Sequence, residues 1–177
     1  MDKRHKEMLS ALVKQLRSLL LVSPPRTDDA PLELALAEHE QGAWTWMMRL
    51  LLLRALEVRG LLPPTPEDAA ARVSPGRAWW EARQQARREL ARLLPDLFPS
   101  DTSLQTDNLF PCIDLIIGQQ PVVSGKDPAE LTRLFADPDL LGWAYQFYQH
   151  EARAKINAKC RRGEKVVSRA ELVAKTQ

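Results

Sequence analysis

The sequence predicts an all-α protein, an array of about five to seven helices around a central apolar helix at about residues 31–59, with Pro-rich loops between them. Three observations carry this expectation. Apolar residues recur at i, i+3 and i+4 over stretches too long for strands. Prolines and Asp-Pro or Ser-Pro pairs fall where helices begin or stop. No stretch alternates with period two for long enough to make a strand, and no internal repeat is present.

The first helix is expected from Lys3 to Val22, with Met8, Leu9, Leu12, Val13, Leu16, Leu19 and Leu20 on one face. Pro24-Pro25 cannot continue it. The second is expected to start near Pro31, behind Asp28-Asp29, and to end at Gly60, a C-terminal cap. It is apolar almost all round from Trp44 to Leu53, which predicts burial. Thr65-Pro66-Glu67-Asp68 reads as a further helix start. A helix from Ser74-Pro75 to about Leu94 would put Trp79, Ala82, Ala86, Leu90 and Leu93 on one narrow face. Residues 95–126 carry Pro95, Pro99, Pro111 and Pro121 and read as loop, with one short apolar element at Ile113–Ile117. Asp127-Pro128 and Asp137-Pro138 open two more helices, the second running to about Arg162 with Gly163 as its stop. Ser168-Arg169-Ala170-Glu171 is a capping box that opens a last turn or helix. These boundaries divide the chain into a helical domain at 1–163 and a basic linker or helix at 164–177.

With 177 residues and 45% apolar content the chain can build one core. Its two cysteines, Cys112 and Cys160, form neither a metal spacing nor a disulfide framework, which fits a reducing, cytoplasmic setting. The charged start (Asp2, Lys3, Arg4, Lys6, Glu7) is not a signal peptide. The run Ala43–Leu53 contains Arg49 and is too short to span a bilayer, so no membrane partner is expected. The net charge of +2 means that any nucleic-acid contact must come from a local patch.

Several chemistries are excluded by missing motifs. The glycines at 42, 60, 76, 118, 125, 142 and 163 form no G-x-G turn, and neither Pro-Pro pair precedes an aromatic residue. A cofactor-binding glycine turn, the Pro-Pro-aromatic loop that holds a flipped adenine, and a P-loop are therefore all absent. No lysine has an acidic residue two positions before it, so the usual metal-dependent nuclease pattern is missing. His5, His39 and His150 lie far apart in no ligand or triad pattern. No catalytic, cofactor-binding or metal-ligating residue is expected in this chain.

Three segments nevertheless resemble a known family. Ala43-Trp44-Thr45-Trp46-Met47-Met48-Arg49-Leu50, continuing through Arg54, Glu57 and Gly60, is similar to the pattern AYTWFNRLxALRxMExxG. Trp44 stands in place of the usual Tyr, and Met48 in place of the usual Asn. Leu94-Pro95-Asp96-Leu97-Phe98 is a weaker PxLF-like piece. Leu141-Gly142-Trp143-Ala144-Tyr145-Gln146-Phe147-Tyr148 is similar to LGWxYQxY, and Thr176-Gln177 to the start of a later TQ-x-F/Y-T-P motif. In this order the segments resemble the N-terminal region of BREX phage-defence adenine-specific DNA methyltransferases (PglX-like). The resemblance implies an accessory domain that precedes an S-adenosylmethionine-binding catalytic domain absent from this chain, in a bacterial or archaeal cytoplasm. S-adenosylmethionine would be the parent enzyme's cofactor. The implied partners are the catalytic domain, double-stranded DNA and other proteins of the defence system. The residues by themselves also fit a free-standing helical protein–protein interaction module, or a small DNA-binding protein.

Two groups of side chains are candidates for a role. Arg49, inside an apolar run, must be paired by a carboxylate or a helix carbonyl. Arg54 can meet Glu57 one turn on. With Trp143, Tyr145 and Tyr148 these are structural or interdomain candidates. Trp79 is expected on the apolar face and Trp80 at its edge. The second group is Arg77, Arg83, Arg87, Arg88 and Arg92, expected on the exposed half of their helix. It reads either as a DNA phosphate contact or as a solvated face diluted by Glu81 and Glu89. Residues 151–177, with eight Lys/Arg against three Glu, read as a charged linker or as a flank of a DNA channel.

Overall fold

A computed structural model describes residues 1–22, 32–66, 73–98, 108–120 and 128–162, and among these every regular element is a helix. The helices are α1 (Lys3–Leu20), α2 (Leu32–Val58), α3 (Pro75–Ala82), α4 (Gln84–Leu93), α5 (Leu109–Ile116), α6 (Pro128–Ala136) and α7 (Leu140–Arg161). The fold is all-α, as the sequence predicts.

The core forms where the apolar stripes meet. Helix α1 packs on α7, α5, α2 and α6, and α2 packs on α6, α1, α5 and α7. Leu9, Leu12 and Leu16 of α1 and Met47, Leu50, Leu51 and Leu53 of α2 are completely buried. Each such side chain contributes roughly 1.5–3 kcal/mol of transfer free energy. Helix α2 is therefore central, and it shares that place with α1. From α6 and α7 come Leu134, Phe135, Leu140 and Ala144, and from α5 Cys112, Ile113 and Ile116.

The helix ends follow local chemistry. The Asp2 carboxylate accepts the backbone N–H of His5 at 2.8 Å, which satisfies one orphan donor of α1. Helix α2 closes with the paired bonds of a Schellman turn. Gly60 N–H donates to Glu57 O at 2.9 Å and Leu61 N–H to Leu56 O at 2.9 Å. Gly60 adopts φ 71°, which a side chain would resist. The Asp137 side chain accepts Asp139 N–H at 2.9 Å at the entry to α7.

Three expectations need correction. The single helix over 75–94 is two helices, broken at Arg83 (φ −101°, ψ 10°). No Gly or Pro causes the break; it coincides with the burial of the Arg83 side chain against α2. Leu93 is not on the buried face, since it is 75% exposed and α4 has no buried residue. The element expected at Ile113–Ile117 begins earlier, at Leu109. Pro111 lies in its first turn, where the missing N–H has no intrahelical partner to lose. The proposed starts at Glu67-Asp68 and Asp127, the stop at Gly163, the capping box at Ser168–Glu171 and the whole 164–177 linker lie outside the described residues.

Candidate interaction surface and the buried arginine network

The arginines of this chain divide by burial, and Glu57 shows why. It sits in the last turns of α2, facing α3. Its carboxylate accepts Arg54 Nη1 from one turn back, Trp79 Nε1 at 2.7 Å and Arg83 Nη2 from across the helix interface. Arg83 Nη1 also donates to Thr65 Oγ1 at 2.9 Å and to Trp79 O at 3.1 Å. The guanidinium lies over the Trp79 ring, 4.5 Å from its centroid. Arg83 is only 1% exposed. Burial holds its pKa below the ordinary arginine value, the Glu57 carboxylate works against that shift, and Arg54 adds to it. One carboxylate thus serves two guanidinium groups and an indole, and ties α2 to α3.

Arg49 is 6% exposed. Its Nε donates to the carbonyl of Leu97, in the turn after α4. Its guanidinium stacks on Trp46 (4.8 Å) and Phe98 (5.8 Å). The partner is a turn carbonyl rather than the carboxylate or helix carbonyl expected. Burial lowers its pKa, and Nη2 has no hydrogen-bond partner. Trp46 in turn packs on Trp80 with ring centroids 5.7 Å apart. Trp80 is half-buried, and Arg87 caps its outer face at 3.7 Å. The arginine and aromatic side chains form a continuous stack, Phe98–Arg49–Trp46–Trp80–Arg87.

The two strongest segments of resemblance meet at a second knot. Trp44 of α2 packs on Tyr145 (5.4 Å) and Tyr148 (5.0 Å) of α7. Tyr148 donates its hydroxyl to Glu40 O at 2.9 Å. Arg17 Nη2 reaches both Glu40 carboxylate oxygens, at 2.7 and 3.0 Å, and lies over the Tyr148 ring at 5.1 Å. Trp143 pairs with Phe147 (5.7 Å) and takes Lys6 Nζ on its ring at 3.7 Å. Sequence reasoning passed over Arg17 and Glu40. The available signal was Arg17 itself, a charge at the helical repeat of Val13 on the apolar face of α1.

The five arginines expected to share one exposed face do not share it. Arg83 is buried on Glu57 and has no open side for a phosphate. Arg87 is half-buried on Trp80, where burial and the neighbouring Arg88 both lower its pKa. Arg77 is exposed but donates to Glu81 at 2.9 Å. Arg88 and Arg92 are exposed, and among the described residues neither has a carboxylate partner.

Among the described residues no group of His, Cys, Asp and Glu has the makings of a metal site. The Cys112 thiol is pushed up to about 12 by burial, which keeps it protonated and inert. The groove beside Ala154, Asn157, Arg161 and Arg162 at the end of α7 is open rather than enclosing. No described helix is long and apolar enough to cross a membrane. No protein-family model, no curated protein and no solved structure matches the chain.

Proposed function

We propose that this chain is the N-terminal helical accessory domain of an adenine-specific, S-adenosylmethionine-dependent DNA methyltransferase of a BREX-like phage-defence system. The ordered match of its segments to that family's N-terminal region carries the reading. The geometry gives the matched residues coherent work. Trp46, Arg49, Arg54 and Glu57 hold α2 to α3 and to the turn after α4. Tyr145 and Tyr148 lock α7 onto Trp44. Motif residues that brace helices rather than line a cleft suit a supporting domain. In this reading the chain performs no catalysis; it braces the catalytic domain that binds the cofactor and adenine.

The test is to express the gene with whatever coding sequence follows residue 177 and to titrate both products with S-adenosylmethionine by calorimetry. The longer product should bind one equivalent with micromolar affinity, and the 177-residue chain should give no binding heat. Host DNA should carry N6-methyladenine only when the gene is intact. A stop codon directly after Gln177, or a longer product that takes up no cofactor, overturns the proposal. That outcome would favour the free-standing interaction module, for which the exposed Leu93 and Leu94 speak.

A further inference from the structure

We infer that the outer stripe of α4, formed by Gln84, Arg88 and Arg92, is a contact surface for the phosphate backbone of duplex DNA. These residues stand at i, i+4 and i+8, so they fall within about 80° of arc and run about 12 Å along the helix. All three are exposed. All three present only N–H donors or an adaptable amide, and the guanidinium fork matches phosphate oxygens in pairs.

Two further observations separate this stripe from an ordinary solvated face. The first is the pattern of pairing. Arg4, Arg17, Arg54, Arg77 and Arg83 each meet a carboxylate. Among the described residues the exposed Arg59, Arg88, Arg92 and Arg133 meet none, and of these only Arg88 and Arg92 stand one turn apart on a single helix face. The nearby Glu89 accepts from Gln85 Nε2 at 3.0 Å. The second is Arg87. It is held against Trp80 beside Arg88, where the two like charges disfavour each other, and its buried Nε has no acceptor. An anion on Arg88 would relieve that repulsion.

The position of α4 agrees. Its main contact is with α3, and it buries no residue, so one whole face is open to a large partner. The exposed Leu93 lies about 140° around the helix from Arg88, off the stripe. The charge on the stripe disfavours a second copy laid along it in register, because the arginines would repel. An acidic protein would be the rival partner, and the exposed leucines would then be its anchors.

That the phosphates belong to duplex DNA rests on the methyltransferase reading; that the stripe seeks phosphate does not. The probe is a fluorescent 20-base-pair duplex titrated with the 177-residue chain at about 20–200 mM salt. Wild type should bind with a dissociation constant of roughly 1–100 μM at the low-salt end, in the non-specific range. Arg88→Glu/Arg92→Glu should weaken binding by tenfold or more, and should flatten the log–log salt slope by about 0.9 per lost contact. The charge-matched control Lys3→Glu/Lys14→Glu, on exposed positions of α1, should change affinity less than threefold. Unchanged melting temperatures would show that both variants are folded.

Three results would overturn the inference. They are no binding by wild type at the lowest salt, equal losses in the two double variants, or duplex binding that survives Arg88→Glu/Arg92→Glu. Tighter binding of polyglutamate than of duplex, lost on Leu93→Ser, would also overturn it and assign the surface to an acidic protein. Failure of the stripe leaves the cofactor titration of the longer product untouched, so the two proposals fall separately.

Discussion

Arg83 and Arg88 are five residues apart in one basic stretch, yet they belong to different parts of the molecule. Arg83 is 1% exposed and is bound by Glu57, Thr65 and a main-chain carbonyl. Arg88 is exposed and lacks a carboxylate partner among the described residues. The Glu57 cluster shows a charge spent on holding two helices together. Helix α4 carries two exposed arginines, Arg88 and Arg92, that no carboxylate among the described residues meets. Burial, not residue type, separates a bracing arginine from one open to a ligand. Arg83 stands at the break between α3 and α4, while Arg87, packed on Trp80, shares α4 with the exposed Arg88 and Arg92.

The largest expected effect that sharpens this contrast is Arg83→Ala. Removing one partner of a buried ion pair costs roughly 3–5 kcal/mol, and the loss here should fall toward the lower end because Arg54 and Trp79 still meet the Glu57 carboxylate. Urea unfolding followed by tryptophan fluorescence should show a large drop in midpoint. Arg49→Ala should come next. It loses a charge-assisted hydrogen bond to Leu97 O, worth about 1.5–3 kcal/mol, and its packing on Trp46 and Phe98. Its midpoint should fall below that of Arg87→Ala, whose side chain is only half-buried. Tyr148→Phe should cost about 1 kcal/mol, the typical net value of one hydrogen bond, here the one to Glu40 O. Smallest of all, Arg88→Ala and Arg92→Ala should each shift stability by less than about 0.5 kcal/mol, as exposed positions without partners do. A large loss in either of the last two would erase the distinction between the regions.

The parts of the fold legible in the sequence are those written by local physics. The one-sided apolar repeat gives α1, and the all-round apolar run gives the burial of α2. Gly60 marks a cap because only the left-handed backbone closes that turn, and Gly60 adopts it. Arg54 and Glu57 can be paired by eye, since three residues on a helix are neighbours. The break at Arg83 is illegible because its correlate is tertiary. Glu57, 26 residues away, takes the side chain inward, and no helix breaker marks the place. The burial of Arg83 is legible in part, and the expectation of an exposed side chain overlooks it: on a continuous helix Arg83 follows Trp79 by four residues, about 40° around, at the edge of the apolar face. The link of Tyr148 to Glu40 spans 108 residues and is invisible to any local pattern. Pro111 misleads in the other direction, because a proline reads as loop unless the helix start is known.

The claim that Arg83 and Glu57 brace α2 against α3 is tested most directly by a double-mutant cycle. Arg83→Met, Glu57→Gln and the double variant would be unfolded in urea beside wild type, at neutral pH. If the pair acts as one unit, the double variant should lose about 2–3 kcal/mol less than the sum of the single losses, the upper range for residues in direct contact. Losses that add within about 0.5 kcal/mol would mean that the two side chains contribute independently, and the bracing role of the cluster would be contradicted.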